Sequence, residues 1–213
     1  KVLLEDLIER RPEDTLTKLR LAQCRLHMGE LSACRETVDT ILAENPNMKD
    51  MWLQLGMQQV RVGRLPDALA TFKRLVEVDP RDGKSLTSVA SVLLHMGRMD
   101  EAAQHARAAL AILPGHDGES RTAAHELLAK VALAKNDPSA ARREAALARK
   151  ADPALPLPAY VEGLILYNQG RYAEALPHFQ EAVKALEAHT ISIQDLYYYT
   201  GDTLGRLGEG PAA

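Results

Sequence analysis

Residues 49–82 read KDMWLQLGMQQVRVGRLPDALATFKRLVEVDPRD, and this pattern predicts two helices joined by a short turn. We expect the first helix at about 50–62 and the second at about 65–78, because apolar residues recur in both at helical spacing. Gly63 lies between them, at the place where a left-handed backbone often ends a helix. Pro80 prevents the second helix from continuing. The unit is a predicted helical hairpin.

Small and large residues alternate where the two helices would meet. Gly56 and Ala68 are small, so the helices can approach closely, while Trp52, Leu55 and Phe72 supply the apolar area around them. Trp-x₂-Leu-Gly, followed by Ala-x₃-Phe and a proline within 34 residues, resembles the signature of the tetratricopeptide repeat (TPR) family. Overpacking should therefore make Gly56→Leu costly, by roughly 1–3 kcal/mol.

Four prolines extend this unit into an array. Pro12, Pro46, Pro80 and Pro114 lie 34 residues apart, which is strong evidence of repetition. The pattern indicates five full repeats with a half repeat at each end, so we expect one array over 1–213 and a natural protein that continues at both ends. The boundaries are 1–14 for the first half repeat, 15–48, 49–82, 83–116, 122–155 and 156–189 for the full repeats, and 194–213 for the last half repeat. The resemblance implies an all-α fold, a right-handed α-solenoid of stacked helical hairpins.

Several positions depart from the repeat pattern. Asn136-Asp137-Pro138 replaces the glycine turn, and Glu162 stands where the motif has leucine. Ala188 stands where proline is expected, so the preceding helix should run on. Pro211-Ala212-Ala213 resembles the first turn of a further helix. Gly118 falls in a turn-rich linker, so Gly118→Ala should matter less than a change at Gly56, unless Gly118 has a positive φ.

Composition limits the classes of function. The 213 residues are 46% hydrophobic and 26% charged, with a net charge of −3, which argues against a dedicated nucleic-acid or membrane-surface binder. No run approaches the roughly 18–20 apolar residues that span a bilayer. Cys24 and Cys34 form no metal or redox motif and are expected as buried free thiols. We find no catalytic constellation, metal site or cofactor motif. The compartment is left open.

The resemblance also implies a binding surface. In TPR proteins the second, fifth, ninth, twelfth and thirteenth places of each repeat, all on the first helix, line a concave groove. The candidate partner-binding residues at these places are Leu19, Gln23, His27, Leu53, Met57, Arg61, Ser91, His95, Glu126, Lys130, Tyr160, Leu164, Tyr167 and Tyr198.

Two groups within this set stand out. Tyr160, Tyr167 and Tyr198 are the leading ligand contacts, because tyrosine is a common interface anchor; alternatively they pack on one another or on a following helix. His27, Arg61 and His95 recur at one place in three repeats, and this row could recognise acidic groups on a partner or be a solvated edge. Arg142 and Arg143 are expected on a solvated outer face.

Two functions fit these observations. The first is a protein–protein interaction scaffold that holds a peptide or a partner protein in its groove. The alternative is a non-catalytic region of a larger enzyme that docks on its catalytic domain or recruits its substrates. In neither do these residues catalyse a reaction. Apolar faces left at the half repeats, chiefly Leu3, Leu4 and Leu7 at one end and Tyr197 with Leu204 at the other, also predict weak end-to-end self-association.

Overall fold

The computed structural model describes residues 1–45, 49–153, 156–187 and 194–208, with helices and short turns throughout and no strand in those ranges. This confirms the expected all-α fold. Pro46, Ala188 and residues 211–213, on which parts of the sequence interpretation rest, lie outside the described residues, as do the side chains of residues 186, 187, 194 and 195.

The chain divides into two compact units, residues 1–97 and 98–213. The first contains α1 (Val2–Arg10), α2 (Thr15–His27), α3 (Leu31–Glu44), α4 (Asp50–Arg61), α5 (Leu65–Val78) and α6 (Gly83–His95). The second contains α7 (Met99–Ile112), α8 (Gly118–Ala134), α9 (Pro138–Ala151), α10 (Leu157–Asn168), α11 (Tyr172–Glu187) and α12 (Gln194–Arg206). The boundary falls inside the expected repeat 83–116, so that repeat contributes one helix to each unit.

Helical hairpins form within each unit. In the first unit α2 packs on α3 and α4 packs on α5; in the second, α8 packs on α9 and α10 on α11. The bounds of α4 and α5 agree with the helices predicted at 50–62 and 65–78. Local apolar spacing and turn residues are therefore sufficient to place these hairpins.

One turn geometry closes the first helix of most hairpins. At Gly63, φ is 76°, and the N–H of Arg64 donates to the carbonyl of Gln59 at 2.8 Å, as in a glycine C-cap. The same left-handed turn recurs at Gly29, Gly97, Gly170 and Gly208. Asn136 has φ 58° and the equivalent bond from Asp137 to Ala132. Asparagine thus replaces glycine there, as predicted.

Aspartates begin several helices. The carboxylate of Asp14 accepts from the backbone N–H of Thr17, and Asp82 caps α6 in the same way through Lys84. Asp117 and Asp137 cap α8 and α9. Hydrogen bonds from the Thr17 hydroxyl and N–H lower the pKa of Asp14. These caps fix the start of each helix.

The predicted close contacts between helices are present. Trp52, Leu55 and Ala68 are fully buried, and Trp52 Nε1 donates to the carbonyl of Val38 at 3.2 Å. Gly56 faces the ring of Phe72 without room for a side chain. The interface of α4 and α5 therefore depends on the absence of a Cβ atom at Gly56.

Gly118 differs from its prediction. Its φ is not left-handed, but a Cβ atom there would lie 2.7 Å from the carbonyl oxygen of Ala151. The start of α8 passes against the end of α9, and backbone cannot move aside as a side chain can. Gly118 is therefore not a loosely packed linker residue, and this contact gives a packing reason to expect a cost for Gly118→Ala that its place in the sequence does not predict.

The two cysteines are free, and they differ in burial. Cys34 is fully buried, its thiol donates to the carbonyl of Ala22 at 3.3 Å, and burial raises the pKa of the thiol to about 11. Cys24 is only half-buried, with its Sγ 3.8 Å from the sulfur of Met28. The expectation of a buried thiol holds for Cys34 and is wrong for Cys24, which lies toward the surface of α2.

Candidate functional site

The first helices of unit 1 carry one set of candidate residues. On α2, Leu19 is half-buried, whereas Gln23 and His27 are exposed. These residues are four apart and so lie along one side of the helix. The side is apolar at its start and polar toward its C-terminal end.

Helix α4, which packs beside α2, has a similar arrangement. Leu53 is half-buried, and Arg61 is exposed. Met57 is 59% exposed, although methionine is a residue that cores usually bury. Because a thioether side chain adapts to different partners, Met57 is the largest flexible apolar contact this surface offers.

Basic side chains lie at one end of this surface, where the first helices of unit 1 have their C-termini. His27, Arg61 and His95, here called the basic row, lie at the C-terminal ends of α2, α4 and α6 and are all exposed. His95 Nδ1 lies 2.8 Å from the carbonyl of Ser91, which is half-buried one turn earlier. Within the described ranges, neither His27 nor Arg61 forms an ion pair. The row is accessible, and what it recognises stays a prediction.

The candidate residues of α8 in unit 2 are already engaged. Lys130 Nζ lies 2.9 Å from the carboxylate of Glu126 and 5.7 Å from the centre of the Tyr160 ring. Both side chains of the ion pair are largely shielded from solvent. A ligand would have to displace this pair to use either charge.

Tyr160 and Leu164 are core residues, which corrects their placement as groove contacts. Tyr160 is 0% exposed and Leu164 5%. The ring of Tyr160 packs against Phe179 at a centroid distance of 6.3 Å, and α8 and α12 both pack on α10. The neighbouring first helices therefore cover side chains that the corresponding places in unit 1 leave more open.

Tyr167 is half-buried in an aromatic cluster. Its ring lies 5.3 Å from Tyr172 and 5.1 Å from Tyr199, both edge-on. Its hydroxyl donates to the carboxylate of Asp202, which raises the pKa of Tyr167 and lowers that of Asp202. The guanidinium of Arg206 lies 5.6 Å from the centre of the Tyr167 ring. Tyr167 on α10 thus contacts α12 through a ring contact with Tyr199 and a hydrogen bond to Asp202.

Tyr198 is the accessible tyrosine of the three. It is 67% exposed and meets only the edge of Tyr199, at 5.4 Å, among the described ring contacts. The alternative that these tyrosines pack within the fold describes Tyr160 and Tyr167, while Tyr198 remains a candidate contact.

One interaction was missed by the sequence interpretation. Arg142 on α9 binds the carboxylate of Glu162 on α10 with two hydrogen bonds of 2.8 Å. The pKa of Glu162 is lowered and that of Arg142 raised by this pairing. Arg142 and Arg143 are exposed, as expected, and Arg142 in addition pairs with an acid that stands at a leucine place. Glu162 itself was the signal, because an acid at a place where the motif has leucine is favoured by a cation nearby; its side chain is 30% exposed.

Neither a candidate metal site nor a helix able to cross a membrane is present among the described residues. No group of three or more His, Cys, Asp or Glu side chains among them is arranged to hold a metal ion. None of the helices in the same ranges has the length and apolarity needed to cross a bilayer. The arrangement offers surfaces for contact with another molecule.

Sequence profiles of the tetratricopeptide repeat match residues 1–55, 53–117 and 157–189, which together include more than half of the chain. A curated human relative, named FK506-binding protein-like, is 25% identical over 89 residues, or 42% of this chain and 26% of the relative. The chain thus spans about a quarter of the length of the curated relatives it matches.

Solved structures share the fold. PilW, described as a type IV pilus biogenesis factor, is similar with a TM-score of 0.63 at 14% identity, over 92% of this chain and 87% of PilW. YrrB, described as a TPR protein with an unusual peptide-binding site, is similar with a TM-score of 0.55 at 18% identity, over 88% of this chain and 94% of YrrB. At these identities the likeness shows the all-α solenoid fold alone.

Proposed function

We propose that this chain, which belongs to the tetratricopeptide repeat family, is a protein-interaction scaffold that binds a peptide or helix of a partner along the first helices of unit 1. The observation that carries the proposal is Met57, a large apolar side chain that is 59% exposed between Leu53 and Arg61 on one helix. Contiguous apolar surface rimmed by polar residues marks interaction sites, and the half-buried Leu53 lies one turn from Met57 on the same side of α4.

The chemistry of this surface favours one class of ligand. Leu19, Leu53 and Met57 offer apolar contacts, and the basic row offers exposed cations or hydrogen-bond donors beside them. A segment that combines apolar anchors with acidic side chains would match both. Such complementarity steers association and fixes the orientation of the ligand more than it adds affinity.

Unit 2 supports a smaller role. Glu126 and Lys130 are paired with each other, and Tyr160 and Leu164 are buried. Tyr198 alone of its candidate tyrosines is largely exposed. We therefore propose that unit 1 supplies most of the binding energy. YrrB is described as having an unusual peptide-binding site, which is consistent with a peptide as the ligand class. We assign no binding residue of this chain from YrrB.

The test is selection of peptides from a random library on the full chain, followed by calorimetric titration of variants. Met57→Ala should cost roughly 1–3 kcal/mol of binding if Met57 is an anchor. Arg61→Ala should weaken binding mainly at low salt, because exposed charges are screened. The control is Lys73→Ala, an exposed change on the second helix α5, expected to cost less than about 0.5 kcal/mol. If Met57→Ala and Arg61→Ala left the peptide affinity unchanged and Lys73→Ala lowered it, the binding site would lie on the second helices instead.

A further inference from the structure

A cavity of about 280 Å³ opens between α1, α2 and α3, away from the first-helix surface described above. Its lining is apolar at Ile8 and Leu21, cationic at Lys18 and Arg25, acidic at Glu5 and Glu36, and carries hydroxyl groups at Thr37 and Thr40. The volume lies just below the range of about 300–1,000 Å³ of small-molecule pockets. It suits one large side chain better than a whole ligand.

The next repeat shows what fills the equivalent space. Lys18 and Trp52 are 34 residues apart and occupy the same place on α2 and α4. Trp52 is fully buried, and α4 packs on both α3 and α5. The indole thus occupies the junction of three helices in that repeat, whereas the corresponding junction around Lys18 contains the cavity.

The two places share part of their surroundings. Leu21 corresponds to Leu55, and both are buried. Arg25 Nη1 donates to the hydroxyl of Thr37 at 2.5 Å. At the equivalent places one repeat later the direction is reversed, and the hydroxyl of Thr71 donates to Gln59 Oε1 at 2.7 Å. Lysine at a tryptophan place is one of the differences that accompany the cavity, together with Arg25 for Gln59, Glu36 for Ala70 and Thr40 for Arg74.

Lys18 is buried beside the cavity and is held in an ion pair. Its Nζ is held 2.6 Å from the carboxylate of Glu44, near the end of α3. The side chain of Lys18 is only 7% exposed, and a buried ammonium needs such a partner. The ion pair fixes the lysine and leaves the adjoining volume open.

Lys18 and Arg25 are fixed cations that can attract an aromatic ring, and each is paired with a carboxylate, Glu44 and Glu5 respectively. The two terminal nitrogens of Arg25 donate to the carbonyl of Ala33, to Thr37 and to Glu5, so the guanidinium is held in place. Its Nε is buried and has no hydrogen-bond partner among the described residues. Guanidinium and ammonium groups attract aromatic faces, more strongly when desolvated. The same protein pairs Arg206 with the Tyr172 ring at 5.0 Å.

We propose that this cavity is a second binding site that takes one aromatic side chain of a partner protein. The aromatic ring would pack on Ile8 and Leu21 and against the cations of Lys18 and Arg25. Thr40 is exposed and forms part of the lining, so a larger residue there should obstruct the cavity. The site is separate from the surface of Met57 and the basic row, and neither proposal depends on the other.

The experiment uses 5-fluoroindole as the probe, followed by fluorine NMR on the full chain. Thr40→Tyr should obstruct the cavity, and Lys18→Trp should fill it from within; each is expected to weaken probe binding at least about tenfold. Arg20→Trp is the matched control, because it adds the same ring to an exposed place on the same helix and should leave the affinity unchanged. If Lys18→Trp does not fold, Thr40→Tyr decides the result, since it leaves the Lys18–Glu44 pair in place.

Competition then identifies the occupant. N-acetyl-tryptophanamide should displace the probe, which shows that a side chain on a peptide backbone enters, and N-acetyl-leucinamide should not. Equal binding of 5-fluoroindole to wild type and both cavity variants would overturn the proposal, as would no saturable binding to wild type. Displacement by acetate would indicate a carboxylate site and also overturn it. A dimer in sedimentation equilibrium that Thr40→Tyr dissociates would make the occupant a second copy and reject a different partner.

Discussion

A Cβ atom added to Gly56 would lie 2.4 Å from Cε1 of Phe72, closer than non-bonded carbon atoms can approach. The same relationship recurs between Gly163 and Phe179, at 2.6 Å. In both hairpins glycine on the first helix allows an aromatic ring of the second to lie against its backbone. The repeat therefore couples the two positions, and neither can be changed independently.

Gly56→Ala is predicted to lower the free energy of unfolding by roughly 1–3 kcal/mol, because the added methyl group must displace the buried ring of Phe72. Gly115→Ala is the control: no atom lies within 4 Å of its added Cβ and its φ is not left-handed, so the change should stay within about 0.5 kcal/mol. Urea denaturation of each variant gives the comparison. Equal losses in the two proteins would reject the packing explanation.

The left-handed turn predicts opposite effects at two equivalent places. Gly63→Ala should destabilise the protein by about 1 kcal/mol, because a side chain in this conformation costs about 1–2 kcal/mol. Asn136→Gly should stabilise it by less, because asparagine tolerates the conformation better than most residues and glycine loses more conformational entropy on folding. Both positions end the first helix of a hairpin, with φ 76° and 58°. Thermal unfolding would measure the two shifts, and a more stable Gly63→Ala variant would contradict the prediction.

Sequence reasoning succeeded where structure depends on local spacing. The bounds of α4 and α5 and the left-handed turns at Gly63 and Asn136 follow from residues close in sequence. It was less successful where distant neighbours decide exposure. The place of Tyr160 predicts a groove contact, but whether that place is open depends on how closely the neighbouring first helices α8 and α12 pack on α10.

Gly118 and Glu162 are two further residues whose contacts with distant parts of the chain the repeat pattern does not predict. Gly118 looked like a linker residue, yet its surroundings include the carbonyl of Ala151, 33 residues later in the chain. Glu162 looked like a defect in the motif, yet Arg142 of the preceding hairpin binds it. A repeat pattern specifies the place of a residue within its own hairpin and leaves contacts with the next hairpin to the particular side chains.

The Arg142–Glu162 pair predicts a pH effect on stability. Because the folded pKa of Glu162 is lowered, the pair stabilises the protein above the ordinary pKa of glutamate, about 4.3. That contribution is lost as the pH falls through the folded pKa, since the unfolded chain then binds a proton more readily. Glu162→Gln should therefore reduce the dependence of unfolding free energy on pH below about 5.

The measurement for Glu162 is a series of urea midpoints at intervals of pH. Glu181→Gln, an exposed change on the following helix α11, is the control and should leave the dependence as in the wild type. Arg142→Met removes the partner and should reduce the dependence in the same direction as Glu162→Gln. If the unfolding free energies of Glu162→Gln and Arg142→Met depended on pH as in the wild type, the contact would add no stability in solution.

The last prediction separates structure from binding at the tyrosines of unit 2. Tyr160→Ala should lower the free energy of unfolding by roughly 3–5 kcal/mol, the range for removal of a large buried aromatic side chain, because the ring is fully buried against Phe179. Tyr198→Ala should change it by no more than about 0.5 kcal/mol, since the side chain is 67% exposed.

Urea denaturation measures the stability of the two variants, and calorimetric titration with a peptide selected on the wild type measures their binding. If unit 2 takes part in binding, Tyr198→Ala should weaken the peptide while leaving the fold intact. A stable Tyr160→Ala protein with weakened binding would instead mean that Tyr160 is accessible in solution, and the assignment of α10 to the core between α8 and α12 would be wrong.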